Sequence, residues 1–180
     1  MDQDFAEDLV FGKMGESLAE VILSEENEVF RFGYENTLQK FSPKRGEIIH
    51  DDTSNMVRVM PDFVVYNKMQ KKVTFVEIKT TRKNQGLEKQ VDNSRNLHHR
   101  NFYKHRDYQK FYPDCIFMQI VWNSTPKITF LKSVKNDKKN EQPIRFTEVS
   151  FEELPFTFTW TEEEKMLKII KENIQKSLSH

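Results

Sequence analysis

Residues 5–23, FAEDLVFGKMGESLAEVIL, carry Phe11, Met14, Leu18, Val21 and Ile22 at helical spacing, which predicts an amphipathic helix. Gly12 and Gly15 interrupt it at about 1 kcal/mol each relative to alanine, so the close approach of another backbone is expected there. The period then falls to two in EVFRFGYE (28–35), a strand pattern, and the polar stretch 36–55 follows as a long connection. Residues 58–81, RVMPDFVVYNKMQKKVTFVEIKTT, predict two apolar strands around a polar turn at 68–71. A helix is expected over 97–112 despite an irregular apolar period. CIFMQIVW (115–122) and KITFLKSV (127–134) predict two further strands joined by the turn NSTP, and KNDKKNEQP (135–143) reads as a surface loop. Thr161 and Glu164 form a capping box, after which Met166, Leu167, Ile169, Ile170 and Ile174 line one face of a closing helix. The order is helix, three strands, helix, two strands and helix, which predicts one α/β domain over 1–180 with a mixed central sheet flanked by helices.

Three charges break the apolar runs of the 58–81 stretch: Asp62, Glu77 and Lys79. A four-residue turn at 68–71 sets Asn67 opposite Lys72, and the same antiparallel register sets Asp62 opposite Glu77 and Met60 opposite Lys79. Opposed side chains share a face with Cβ atoms about 5 Å apart, and residues 77 and 79 share a face because strand side chains alternate. The two acids and the amine therefore converge on one patch, with Ile78 turned to the opposite face. Two carboxylates at that distance repel unless a cation lies between them. A hard divalent ion, Mg²⁺ or Mn²⁺, suits such oxygen ligands and can activate water beside a phosphoryl group. Lys79 would then orient the attacking water or stabilise negative charge in the transition state.

The first helix offers one more carboxylate, Glu16 or Glu20. With Leu18 set at zero on a helical wheel, Glu20 falls near 200° among Lys13, Ser17 and Ser24, whereas Glu16 lies near 160° beside Gly12, Ala19 and Leu23. Glu20 belongs to the solvated side. Glu16 borders a small-residue surface able to press on a sheet, and is the better candidate.

Composition adds bounds. The 180 residues are 37% hydrophobic, enough for a real core, and the 28 basic residues cancel the 28 acidic ones. Charge is unevenly spread: residues 1–29 hold nine Asp/Glu against Lys13 alone, while 82–110 hold eight Lys/Arg against three Asp/Glu. Interleaved with Phe102, Tyr103 and Tyr108, that basic stretch has the make-up of a nucleic-acid contact surface, although a solvated helix face reads the same way. His98, His99 and His105 lack a helical zinc-binding pair, and Asp51 and Asp52 fit a solvated loop. The single cysteine, Cys115, sits in an apolar run as a small buried hydrophobe and forbids an intrachain disulfide. No apolar stretch reaches membrane-span length and MDQDFAED is unlike a signal peptide, so an intracellular, cytoplasmic protein free of the membrane is expected. Trp122 and Trp160 read as core residues.

Pro61-Asp62 on one strand and Glu77-Ile78-Lys79 on the next, after a helix bearing GKMGE, resemble the PD-(D/E)XK nuclease superfamily. The element order over about residues 5–122 is similar to that superfamily's restriction-endonuclease-like core. The GxxGE helix resembles in particular archaeal-type Holliday junction resolvases and small viral or phage nucleases. The resemblance implies that Asp62 and Glu77 bind the metal, that the backbone carbonyl of Ile78 joins them, that Lys79 is catalytic and that Glu16 completes the acidic cluster. Exonuclease branches place a Gln and a Tyr four apart on the second helix, whereas Gln109 and Tyr112 are three apart, so those roles are not carried over.

The sequence thus leads to the expectation of a Mg²⁺- or Mn²⁺-dependent endonuclease acting on structured or branched DNA. Arg82, Lys83, Arg95, Arg100, Lys104 and Arg106 are candidate contacts to the nucleic-acid backbone, as are Lys40, Lys44 and Arg45 from the long connection. Symmetric cutting of a junction would call for a homodimer. The alternatives are a non-catalytic nucleic-acid-binding module of the same fold and an RNA-cleaving member of the superfamily.

Overall fold

The apolar faces find their partners in a computed structural model that describes residues 3–32, 52–81, 107–122, 127–134 and 145–158. The expected N-terminal helix forms as α1 (Gln3–Ser24) and leads into β1 (Glu28–Arg31). A short helix α2 (Asp52–Arg58) precedes β2 (Phe63–Asn67) and β3 (Lys72–Thr81). Residues 107–111 are helical, and β4 (Ile116–Val121), β5 (Lys127–Val134) and β6 (Arg145–Glu148) follow. Among the described residues these six strands make one sheet in the order β1-β2-β3-β4-β5-β6. Every neighbouring pair is antiparallel except β3 and β4, which run parallel. A parallel pair needs a crossover connection, and the helical residues 107–111 lie within it. The protein is therefore an α/β fold whose mixed sheet has helices on both faces.

The β2–β3 hairpin keeps the register read from the sequence, with Phe63 opposite Val76 and Asn67 opposite Lys72. Its turn is built by Asn67, whose Oδ1 accepts the N–H of Gln70 at 2.9 Å, and by Lys71, which closes the turn at φ 51°. Asn67 is buried and also donates to the Thr157 hydroxyl at 2.9 Å, tying the hairpin to the segment after β6.

Alternation along β3 separates two cores. Val76 and Ile78 join Leu18, Ala19, Ile22 and Leu23 of α1 on one face. Phe75 faces the other side, where Tyr108, Cys115, Phe117 and Phe146 gather with Val59. Val64 and Tyr66 share that second face and are only part-buried, and Val73 beside the turn is 57% exposed, so the hairpin is covered on both sides only toward its far end.

The α1 stripe is rotated from the one read off its large side chains. Val21 is exposed, while Gly15, Ala19 and Leu23 are buried with Leu18 and Ile22. Gly15 gives the reason: a Cβ there would collide with Thr80 Cγ2, so the missing side chain lets the helix settle onto β3. Gly12 has open space around it, so the expected close approach holds at one glycine only.

Two elements depart from the sequence reading. Residues 52–58 form a helix where a polar connection running into a strand is expected; Asp52 stands in its first turn, where a negative charge favours the helix dipole. β6 is missed because its four residues bury a single apolar side chain, Phe146, and it exists by pairing with β5. Residues 97–106, the turn at 123–126, the loop at 135–143, Trp160 and the closing helix lie outside the described residues.

Candidate active site

β2 ends where β3 continues, and the site lies at that step. Asp62 comes immediately before β2, its backbone carbonyl accepting the N–H of Phe32 at 3.0 Å. Its side chain turns to β3, where Oδ2 accepts the N–H of Ile78 at 2.7 Å. The carboxylate thus takes the ladder donor that β2 leaves behind. Glu77, on the face of β3 opposite α1, is 2% exposed, and the Lys79 ammonium on the same face donates to its Oε1. The three side chains picked out by the hairpin register meet at one place.

The electrostatics are those of two acids sharing one amine. Asp62 is pushed up to about 7, first by burial and then by the charge of Glu77; Lys79 and the Ile78 N–H act the other way. Glu16 adds a smaller push in the same direction, so the α1 carboxylate is within electrostatic range of Asp62. Glu16 is held at 3.7 Å by both Lys13 and Arg31, and is more buried than Glu20, which takes Arg31 at 2.9 Å. Arg31 also lies over the Phe63 ring, 5.4 Å from its centroid, and so joins α1 to the start of β2. Asp52 is exposed and paired with Lys110.

Two buried polar groups border the acids that the sequence reading did not assign to the site. Gln119, 5% exposed, is the register partner of Lys79 on β4 and shares its face. Tyr108, 1% exposed, is packed edge-on to Phe117, the register partner of Glu77. A buried Gln at the position flanking Lys79 was a readable signal once a β3–β4 pairing is assumed; Tyr108 was not, because its placement depends on the crossover. Tyr108 corrects an expectation, since a ring this buried is no part of a nucleic-acid contact surface. Cys115 is the buried hydrophobe expected, its thiol pushed up by burial and by the charge of Glu77. Tyr112 packs on Phe75, and Gln109 donates to the Val134 carbonyl at 3.0 Å.

As for a metal, no group of three or more His, Cys, Asp or Glu side chains is assembled as a ligand set among the described residues. Among the described residues, Asp62 and Glu77 stand together beside Lys79. Mg²⁺ is commonly held by one or two carboxylates while it keeps several waters, and a cation beside Asp62, which is raised first by burial and then by the charge of Glu77, would favour its ionised form. The donor set fits that mode of binding. Arg82, Lys83, Arg95, Arg100, Lys104, Arg106, Lys40, Lys44 and Arg45 lie outside the described residues, as do Asp51, Phe102, Tyr103 and His98, His99 and His105. No helix among the described residues is long and apolar enough to cross a membrane. No family model, curated protein or solved structure matches the chain.

Proposed function

We propose that the protein is a Mg²⁺- or Mn²⁺-dependent nuclease that hydrolyses phosphodiester bonds in DNA, with Asp62, Glu77 and Lys79 as its reacting centre. The observation that carries this reading is the meeting of two largely enclosed carboxylates and one amine at the step between β2 and β3. A site for binding alone gains nothing from two acids, which repel a polyanion and are costly to bury. Asp62 and Glu77 would hold the ion, and Glu16 stands near enough to influence it. The Ile78 carbonyl is a further candidate ligand, because a strand residue directs its N–H and C=O to the same side and the Ile78 N–H already points to Asp62. When bound, the ion supplies a water of lowered pKa and offsets charge on the phosphoryl oxygens.

The protein's own groups do the rest. The Ile78 N–H fixes the Asp62 carboxylate, and the Lys79 ammonium offers donors to the phosphoryl group as negative charge grows on it. Branched or structured DNA and a two-fold dimer belong to the same proposal and rest on the GKMGE helix and the PD…EIK pattern. The test is to incubate labelled duplex, single strand, flap, four-way junction and RNA with the protein in Mg²⁺, Mn²⁺ or EDTA. Cleavage of DNA that EDTA abolishes supports the reading. Cleavage confined to RNA moves the substrate, and retention of nucleic acid without cleavage in any metal makes the protein a binding module.

A further inference from the structure

We infer that Arg31 is a positioning residue of this centre, holding the Glu16 carboxylate of α1 in place at the end of β1 that is bonded to Asp62. The inference deepens the reading of Asp62, Glu77 and Glu16 as a metal site and rests on it. Arg31 is the last residue of β1 and the register partner of Phe63, the first residue of β2. Its neighbour Phe32 donates its N–H to the Asp62 carbonyl at 3.0 Å, so the backbone ties this end of β1 to Asp62. The Arg31 guanidinium lies over the Phe63 ring, 5.4 Å from its centroid. Nη2 donates to Glu20 Oε2 at 2.9 Å, and Nη1 stands 3.7 Å from Glu16 Oε2.

Glu16 and Glu20 are one turn apart on α1, and each meets a different nitrogen of one planar fork. The two distances separate their roles. Glu20 takes a hydrogen bond and anchors the arginine, while the Glu16 contact is too long for one and holds by charge, which a divalent ion can take over. Lys13, also 3.7 Å from Glu16, belongs to α1 itself; Arg31 is the cation that relates this acid to the sheet. Glu16 and Asp62 repel each other, so an acid brought to this place needs a counter-charge to stay there. Exposed ion pairs add little to stability, and hydrogen bonds and charges outside a ligand set act by fixing the ligand's orientation.

The experiment is a calorimetric titration of the full chain with Mn²⁺ alone, for wild type, Arg31→Lys, Glu16→Gln and the double variant, beside thermal unfolding in EDTA. Arg31→Lys keeps the charge but has no fork to span both acids. The expected result is about a tenfold loss of Mn²⁺ affinity in Arg31→Lys, a loss in Glu16→Gln, and no further loss when Arg31→Lys is added to Glu16→Gln, because Arg31 acts through Glu16. Wild-type affinity in Arg31→Lys or in Glu16→Gln, or an equal effect of Arg31→Lys in both backgrounds, overturns the inference while leaving Asp62 and Glu77 standing as the metal site. Absence of Mn²⁺ binding by wild type overturns both. Should Arg31→Lys not fold, Glu20→Ala decides by the same cycle, since it removes the anchor and keeps Arg31 and Glu16. A Glu20→Ala variant that binds Mn²⁺ as tightly as wild type contradicts the inference.

Discussion

Asp62 accepts the backbone N–H of Ile78 at 2.7 Å, so the acid that precedes one strand completes the hydrogen bonding of the next. The arrangement does two things at once. It satisfies a donor that the shorter strand leaves unpaired, and it fixes a carboxylate beside Glu77 and Lys79, where it is poorly solvated. An Asp serving only the first purpose would be better placed away from a second acid.

That placement has a pH signature. The folded-state value of Asp62 is raised from 3.8 to about 7, so the folded chain binds this proton more tightly than the unfolded chain. Its contribution is fully present below about pH 4 and is lost as pH rises through about 7. A shift of this size corresponds to at most about 4 kcal/mol. Asp62→Asn keeps an acceptor for Ile78 and removes the charge. Urea unfolding in EDTA at pH 5 and pH 8 is expected to show wild type losing stability between the two and Asp62→Asn losing less, with the variant the more stable at pH 8.

Lys79 is the amine bonded to Glu77. Removing the part-buried amine leaves the buried Glu77 carboxylate without its bonded counter-charge, at up to about 3 kcal/mol. Lys79→Met is expected to lower the unfolding temperature in EDTA, and millimolar Mn²⁺ is expected to restore part of the loss. Loss of stability that Mn²⁺ does not relieve would show that no cation takes up the charge of the two acids.

Gly15 and Thr80 hold α1 against β3. Gly15→Ala is expected to destabilise by about 1–3 kcal/mol through overpacking, whereas Gly12→Ala, in open space, is expected to stabilise by up to about 1 kcal/mol. Thr80→Ser removes the Cγ2 in the way. In a double-mutant cycle by urea unfolding, Gly15→Ala should cost less in the Thr80→Ser background than in wild type.

How much of this was legible in the sequence differs by element. The hairpin was readable because a four-residue turn fixes its register, and strand alternation then dictates which charges meet. β4 and β5 were readable as apolar runs between turn residues. Glu16 could be separated from Glu20 because small residues beside it marked the surface that packs. The rotation of α1 was not readable, because Val21 looks like a core residue until Gly15 is seen to admit Thr80. α2 carries too few apolar residues for a helical period to show, and β6 is defined by its partner. Tyr108 lay in a stretch whose basic charge suggested an exposed surface, and only its packing on Phe117 in the second core shows its side chain to be enclosed.

The central claim is that Asp62, Glu77 and Lys79 form one metal-dependent hydrolytic centre, and single-turnover cleavage of labelled DNA in saturating Mg²⁺ tests it most directly. Wild type is expected to cleave and to stop on adding EDTA, while Lys79→Gln, still binding the DNA, is expected to lose at least about a hundredfold in rate. Cleavage that persists in EDTA, or a Lys79→Gln variant as fast as wild type, would contradict it.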